Sequence, residues 1–348
     1  MGWLPAVPTC HPEHVPLLIA LPSNRPPARF YRGGTRITGF RGEPDAGTNE
    51  PEDWVASATT LAGEQSLGLT TLPDGRVLAE AIREDPEYWL GPDHAAVFGD
   101  DPLLLVKLLD AGQRLPVHAH PDDEFAAREI GRAHGKTEAW FILEGGSVHV
   151  GLKRQVSPDE LARLVAEQDT RALLGLLHER RVEPGDTVLV PAGMLHAVGD
   201  GILLLELQQP EDLSILLEWS GFDIDGATYG HLGLGFDRAL GAVELRARTE
   251  AEIDALTTHR ASGASVLVKA ADTFFRLERH VVGAEPTPLD AGFAIIVVAE
   301  GEVRLAVDGE ELVARRGSTV LIPHAAGGIG ASGAGELLVC RPPHPHAS

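Results

Sequence analysis

Cysteine is nearly absent. The 348 residues include two, Cys10 and Cys340, at opposite ends of the chain. A disulfide framework is therefore not expected, and neither residue sits in a Cys-x-x-Cys pair that would bind metal; a reducing, cytoplasmic setting fits. Positive charge is scarce as well. Lys and Arg total 29 against 51 Asp and Glu, a formal net charge of −22. Nucleic acid and anionic membrane both demand clustered positive charge, so neither is an expected partner. A small anionic substrate stays compatible, because a few local cations suffice to hold one. The apolar run Val15 to Leu21 is too short to span a bilayer and lacks the basic start and cleavage pattern of a signal peptide.

Glycine and proline are plentiful, 39 and 25 residues, and hydrophobic residues make up 43% of the chain. Many short elements around a sizeable core are implied, which favours a strand-and-turn fold over a helical bundle. Residues 1–50, rich in Pro, Gly and Arg, read as a segment that wraps a sheet edge. Trp54 to Leu72 reads as strands and Leu78 to Leu90 as helix. Leu103 to Leu109 is an apolar run broken only by Lys107, as a buried strand would be, with Lys107 snorkelling at the strand end. Ser157-Pro158-Asp159-Glu160 is a helix start, and a helical insert is expected over about 157–179. Val182 to Asp186 reads as a tight turn, Val188 to Val190 and Ile202 to Leu207 as strands, and about 227–258 as helix again.

The sequence contains a faint internal repeat. Arg181-Val182-Glu183-Pro184-Gly185-Asp186-Thr187-Val188-Leu189-Val190-Pro191 is similar to Arg315-Arg316-Gly317-Ser318-Thr319-Val320-Leu321-Ile322-Pro323, and a Gly-rich hairpin precedes each. Two copies of one β-barrel unit follow as the inference. The expected architecture is mainly β: two β-barrels with a small helical insert. The domains are a metal-binding one over 1–260 and a degenerate one over 261–348.

Chemistry concentrates in the first copy. His118 and His120 in Pro116-Val117-His118-Ala119-His120-Pro121-Asp122-Asp123-Glu124 share one face of a strand, because side chains there repeat every two residues. Glu138 follows in Gly135-Lys136-Thr137-Glu138-Ala139-Trp140, and His196 in Val190-Pro191-Ala192-Gly193-Met194-Leu195-His196. Neutral imidazoles and a carboxylate suit a divalent transition metal, zinc above all. The second copy serves as a control. A gapless continuation puts Gly328 where the first copy has His196, and no His-x-His precedes it, so strand packing alone does not demand these histidines. Lys136, two residues before Glu138, would share the cavity face, with a pKa lowered by burial near a metal. Asp122, Asp123 and Glu124 read as a charged turn, one of which could support a metal ligand; Arg238 reads as a helix-surface cation or a positive charge near the pocket, and Trp54, Trp140 and Trp219 as core rather than sugar platforms.

Taken together these motifs resemble the type I mannose-6-phosphate isomerase family of the cupin superfamily. Gly33-Gly34-Thr35-Arg36, Trp54 to Ala58, Pro102 to His120, Gly135 to Trp140, Pro184 to Gly199, Glu206-Leu207-Gln208-Gln209 and Phe236 to Leu240 occur in the family's order over roughly 30–345. The chain departs from the family twice. His118 stands where the family usually has Gln. After Gln208-Gln209 the chain reads Pro210-Glu211-Asp212-Leu213-Ser214-Ile215-Leu216 in place of Asn-Ser-Asp and Thr-Tyr-Arg, so that segment's arginine has no counterpart.

The resemblance implies a metal-dependent aldose–ketose isomerase, interconverting mannose 6-phosphate and fructose 6-phosphate or acting on a related, unphosphorylated sugar. Its metal ligands would be His118, His120, Glu138 and His196, and Lys136 and Glu138 its catalytic residues, with zinc or another divalent transition metal as cofactor. The competing readings are a non-catalytic metal-binding cupin that senses a sugar and a metal-dependent cupin oxygenase. Oligomeric state is left open by the sequence.

Overall fold

The structure, a computed structural model, describes residues 16–44 and 47–345. Cys10 and the first fifteen residues of the Pro-, Gly- and Arg-rich opening lie outside the described residues. The described chain is mainly β, built of antiparallel sheets. No helix among the described residues is long and apolar enough to cross a membrane.

Two sheets frame the site. One has six strands in the order Thr257–Thr258, Thr187–Val190, Glu138–Glu144, Leu203–Gln208, Leu105–Asp110 and Glu52–Val55. The other has five, in the order Ile215–Leu216, His118–Ala119, His196–Val198, Gly146–Leu152 and Leu177–Val182. A seven-stranded sheet is formed by segments between Arg276 and Arg341, joined at its edge by Ile19–Leu21, which pairs with Thr319–Leu321. That edge strand fits the expectation of a wrapped sheet edge, while a helix of the same opening segment, Thr35–Arg41, buries Ile37 and Phe40 in the core.

The repeat has a structural counterpart. Gly185 N donates to Ile142 O and Gly317 N to Val298 O, both at 2.8 Å. Ile142 N returns a bond to Asp186 O at 2.9 Å, and Val298 N to Ser318 O at 3.0 Å. Both glycines turn with left-handed φ, 90° and 82°, which side-chain-bearing residues rarely adopt. The strand after each turn pairs with the strand carrying Ile142 or Val298, and that strand pairs on its other side with Leu203–Gln208 or Ile329–Arg341. Ile329–Arg341 contains no histidine.

The apolar faces of the sheets meet in a core that includes Ile37, Trp140 and Leu205 as well as Phe275, Ile295 and Leu338, so residues from both ends of the chain share it. The helical insert starts as expected: Ser157 Oγ accepts from Glu160 N at 3.2 Å, and Leu161, Leu164 and Val165 are buried. It is shorter than the sequence suggests. Helices span Pro158–Glu167 and Thr170–Leu176, and Leu177–Val182 is already a strand, held by pairing with Gly146–Leu152.

The helix expected over 227–258 is instead a set of short pieces, Gly226–Tyr229, Phe236–Ala239 and Glu250–Asp254, with glycines at 230, 233 and 235 breaking the run. Of the stretch from Trp54 to Leu72, Trp54 and Val55 alone lie in a named strand. The rest is turn-rich, organised by Ser57, whose Oγ bonds the Thr59 backbone.

Candidate metal centre and its pocket

Strand pairing brings the histidines together. His118 and His196 are direct partners across antiparallel strands of the five-stranded sheet. His120 follows the short strand His118–Ala119, and Gly193 N donates to its carbonyl at 2.7 Å, which ties the Pro191–His196 turn to the His-x-His segment. The ring centroids lie 4.0 Å apart for His118 and His196, 5.0 Å for His118 and His120, and 4.9 Å for His120 and His196.

Each ring is fixed at Nδ1 by a main-chain carbonyl: His118 by Pro116 O at 2.8 Å, His120 by Leu213 O at 2.7 Å, His196 by Met194 O at 2.8 Å. A carbonyl only accepts, so Nδ1 carries the proton and Nε2 keeps its lone pair. Metal-binding histidines are oriented this way. Burial, followed by the neighbouring rings, holds His118 well below the ordinary histidine range. Burial and then the Lys136 ammonium bring His120 down to about 3. Both are therefore neutral, as a ligand must be. The three ligand atoms all lie within 4.8 Å of one another, so the cluster can hold a metal ion.

Glu138 faces this cluster from the six-stranded sheet. Its Oε2 lies 3.1 Å from His120 Nε2 and its Oε1 3.3 Å from His196 Nε2. His196 Nε2 is buried and makes no hydrogen bond. A lone pair and a carboxylate oxygen so placed repel unless a cation joins them, and the donor set of imidazoles plus carboxylate is the one a divalent transition metal takes. The residues present therefore fit a metal.

Lys136 reaches the same point. Its Nζ lies 2.8 Å from Glu138 Oε2 and 3.1 Å from His120 Nε2. Its position is set by a tight approach: Lys136 N bonds Pro121 O at 2.9 Å, and a Cβ on Gly135 would come within 2.4 Å of that same oxygen. Asp123 Oδ1 clamps the turn by accepting from Gly135 N at 2.7 Å and from Gln209 Nε2 at 2.8 Å. The lowered lysine pKa expected from burial does not hold. Burial does press downward, but the Glu138 and Glu206 carboxylates outweigh it, and Lys136 stands above its ordinary value as an ammonium. Burial would likewise raise Glu138, yet the ammonium beside it keeps the carboxyl well below its ordinary range.

Strand alternation extends the polar face inward. Lys107, Glu206 and Trp140 stand in one row across the six-stranded sheet, with Trp54 next to Lys107. Lys107 is 3% exposed, 3.4 Å from Glu52 and 3.9 Å from Glu206, with Nζ 4.4 Å from the Trp54 ring. It does not snorkel at a strand end; paired strands on both sides carry its ammonium into the pocket. Burial and the Glu138 charge push Glu206 up to about 8. Trp140 Nε1 donates to Glu138 Oε1 at 2.9 Å, so this core tryptophan also orients the carboxylate. A cavity of about 520 Å³, including its open mouth, is lined by His118, Lys136, Glu138, Lys107, Glu206 and Arg29, among others.

Other sequence candidates lie elsewhere. Asp122 caps a short helix by accepting from Phe125 N, Arg238 pairs with Glu129 at the surface, and Trp219 stacks on Phe236. Pocket residues that sequence reasoning left unassigned are Arg29, Tyr31, Glu52, Glu206 and Asp212. The signal for Glu206 was present: one carboxylate inside Leu203-Leu204-Leu205-Glu206-Leu207 is a buried charge in search of a partner.

The fold and the cluster define a mainly β protein with a histidine site able to hold a metal ion. Comparison with known proteins narrows this. The chain is 29% identical over 310 residues to a mannose-6-phosphate isomerase of Streptococcus mutans, covering 84% of this chain and 88% of that one. It is 28% identical over 321 residues to mannose-6-phosphate isomerase ManA of Bacillus subtilis, covering 87% and 95%. Among solved structures, the mannose 6-phosphate isomerase from Bacillus subtilis aligns with a TM-score of 0.73 at 24% identity, covering 94% of this chain and 100% of that one. A mannose 6-phosphate isomerase bound with zinc and yttrium aligns with a TM-score of 0.73 at 18% identity, covering 94% and 100%. No protein-family model matches the chain. The sequence relatives are thus mannose-6-phosphate isomerases and the solved structures share their fold, in line with the resemblance that the motifs carry.

Proposed function

We propose that the protein is a metal-dependent aldose–ketose isomerase that interconverts mannose 6-phosphate and fructose 6-phosphate or acts on a closely related sugar. The observation that carries this reading is a cluster of three carbonyl-anchored imidazoles, two of them against the Glu138 carboxylate, beside a pocket lined by His118 and Glu138. His118, His120, Glu138 and His196 would hold the ion, zinc being the choice that the donor set and the zinc-bound structural relative favour. Bound there, a divalent ion supplies Lewis-acid stabilisation of charge that develops on the sugar oxygens.

The chain's own residues do the rest. Lys136, an ammonium held in place by Glu138 Oε2 at 2.8 Å, gives a proton to one sugar oxygen and recovers one from the neighbouring hydroxyl. Trp140 and Lys136 hold the carboxylate in place. The matching turns and strand pairings support two cupin-type barrels, a metal-binding domain over 1–260 and a degenerate one over 261–348, with the edge strand Ile19–Leu21 lent to the second. The acidic charge and the small pocket favour a small-molecule sugar over nucleic acid as partner. The buried, unpaired Cys340 fits a cytoplasmic setting.

The test is isomerisation of mannose 6-phosphate by protein stripped with chelator and reloaded with zinc. Activity lost on stripping and restored on reloading supports the reading. Turnover indifferent to chelator, or none with any aldose, refutes it.

A further inference from the structure

The wall of the pocket opposite in sequence to the histidines carries an arginine with unused donors. The segment Pro210–Leu216 contributes Asp212, Ser214 and Leu216 to the pocket and no cation. Arg29 reaches the same pocket from a distant segment. Its Nε donates to Glu52 Oε1 at 3.0 Å. Glu52 is itself locked by Tyr31 Oη, by Trp54 Nε1 at 2.7 Å and by Lys107 at 3.4 Å, so the guanidinium is anchored at one end by a buried network. At the other end, neither Nη1 nor Nη2 makes a hydrogen bond among the described residues. The nearest carboxylate to Nη2, Asp212 Oδ1, stands at 3.8 Å, close enough to attract and too far to accept a bond.

A half-buried guanidinium with its terminal N–H groups free is matched by an anion that accepts two parallel bonds. The other lining cations are engaged: Lys136 bonds Glu138, and Lys107 sits between Glu52 and Glu206. We propose that Arg29 is the specificity residue of this pocket, binding the phosphate of a sugar phosphate through Nη1 and Nη2, with Asp212 as the competing carboxylate that the phosphate displaces. This assignment rests on the isomerase reading of the site. It explains how a strongly acidic chain with no cation in the Pro210–Leu216 segment can still select an anionic substrate.

The test compares mannose 6-phosphate with free mannose on zinc-loaded protein. For Arg29→Met, kcat/KM for mannose 6-phosphate falls about 100-fold more than for mannose, chiefly through KM, the scale of a lost charge-assisted bidentate contact. Arg29→Lys recovers part of that loss. Asp212→Asn, which keeps the Glu52 network intact, lowers KM for mannose 6-phosphate several-fold. Equal losses for both sugars in Arg29→Met, or an unchanged KM in Asp212→Asn, would overturn the assignment. If the wild type turns over neither sugar, the isomerase reading fails on its own, and calorimetric titration with inorganic phosphate decides Arg29 separately: binding weakened at least about 10-fold in Arg29→Met supports it, and equal binding overturns it.

Discussion

His196 Nε2 and Glu138 Oε1 face each other at 3.3 Å, and His196 Nδ1 is already committed to Met194 O, so two acceptors meet with no proton between them. Juxtaposed acceptors in a buried site cost free energy unless a cation bridges them. His196→Ala should therefore weaken zinc affinity at least roughly 100-fold while leaving the fold intact, since substitutions even one shell further out typically cost 10- to 100-fold. Zinc affinity by competition with a chromophoric chelator checks this; unchanged affinity would remove His196 from the site.

Lys136→Met should lower kcat for mannose 6-phosphate by roughly 100- to 10,000-fold, the range for loss of a proton-transfer group. Zinc content should persist, because the imidazoles and Glu138 remain. Steady-state kinetics alongside metal analysis separates the two effects, and a variant with full turnover would show that the ammonium is structural.

Lys107→Met leaves Glu52 and Glu206 buried with a partner removed. Breaking a buried ion pair from one side costs about 3–5 kcal/mol. Chemical denaturation should show a loss of that order; a loss below about 1 kcal/mol, typical of an exposed pair, would restore the snorkelling picture.

His134 Nε2 lies 2.7 Å from Asp101 Oδ2, and the two line a different pocket from His118. The hydrogen bond to Asp101 raises the His134 pKa; at Asp101 burial presses upward, but His134 wins and lowers it. A raised histidine stabilises below its unfolded value and loses that contribution as pH climbs through its folded one. A lowered aspartate stabilises above its unfolded value and loses that contribution as pH falls through its folded one. The pair thus contributes most between the ordinary aspartate and histidine values. His134→Gln should destabilise by about 0.5 kcal/mol near pH 5.5, after allowance for solvent screening, and by less near pH 9. Thermal melts at the two pH values check the sign.

The motifs that the structure brings together around His118, His120 and Glu138 were legible in the sequence because part of their spacing is local. His118 and His120 are two apart, Lys136 and Glu138 are two apart, and a strand reports that period directly. Periodicity cannot show which strands become neighbours. The row of Lys107, Glu206 and Trp140 needs the register of three strands, and Arg29 reaches the pocket from a segment with no regular pattern. The helical expectation over 227–258 failed for a related reason: apolar spacing was read as period, while the glycines at 230, 233 and 235 divide the segment into turns. Lys136 was misjudged because burial was counted without the two carboxylates that surround it.

The most direct measurement is the number of zinc ions retained per chain after stripping, reloading and dialysis. The account predicts one ion per chain in the wild type and none in His118→Ala, His120→Ala or His196→Ala. A wild type that retains no ion, or histidine variants that retain it fully, would contradict it.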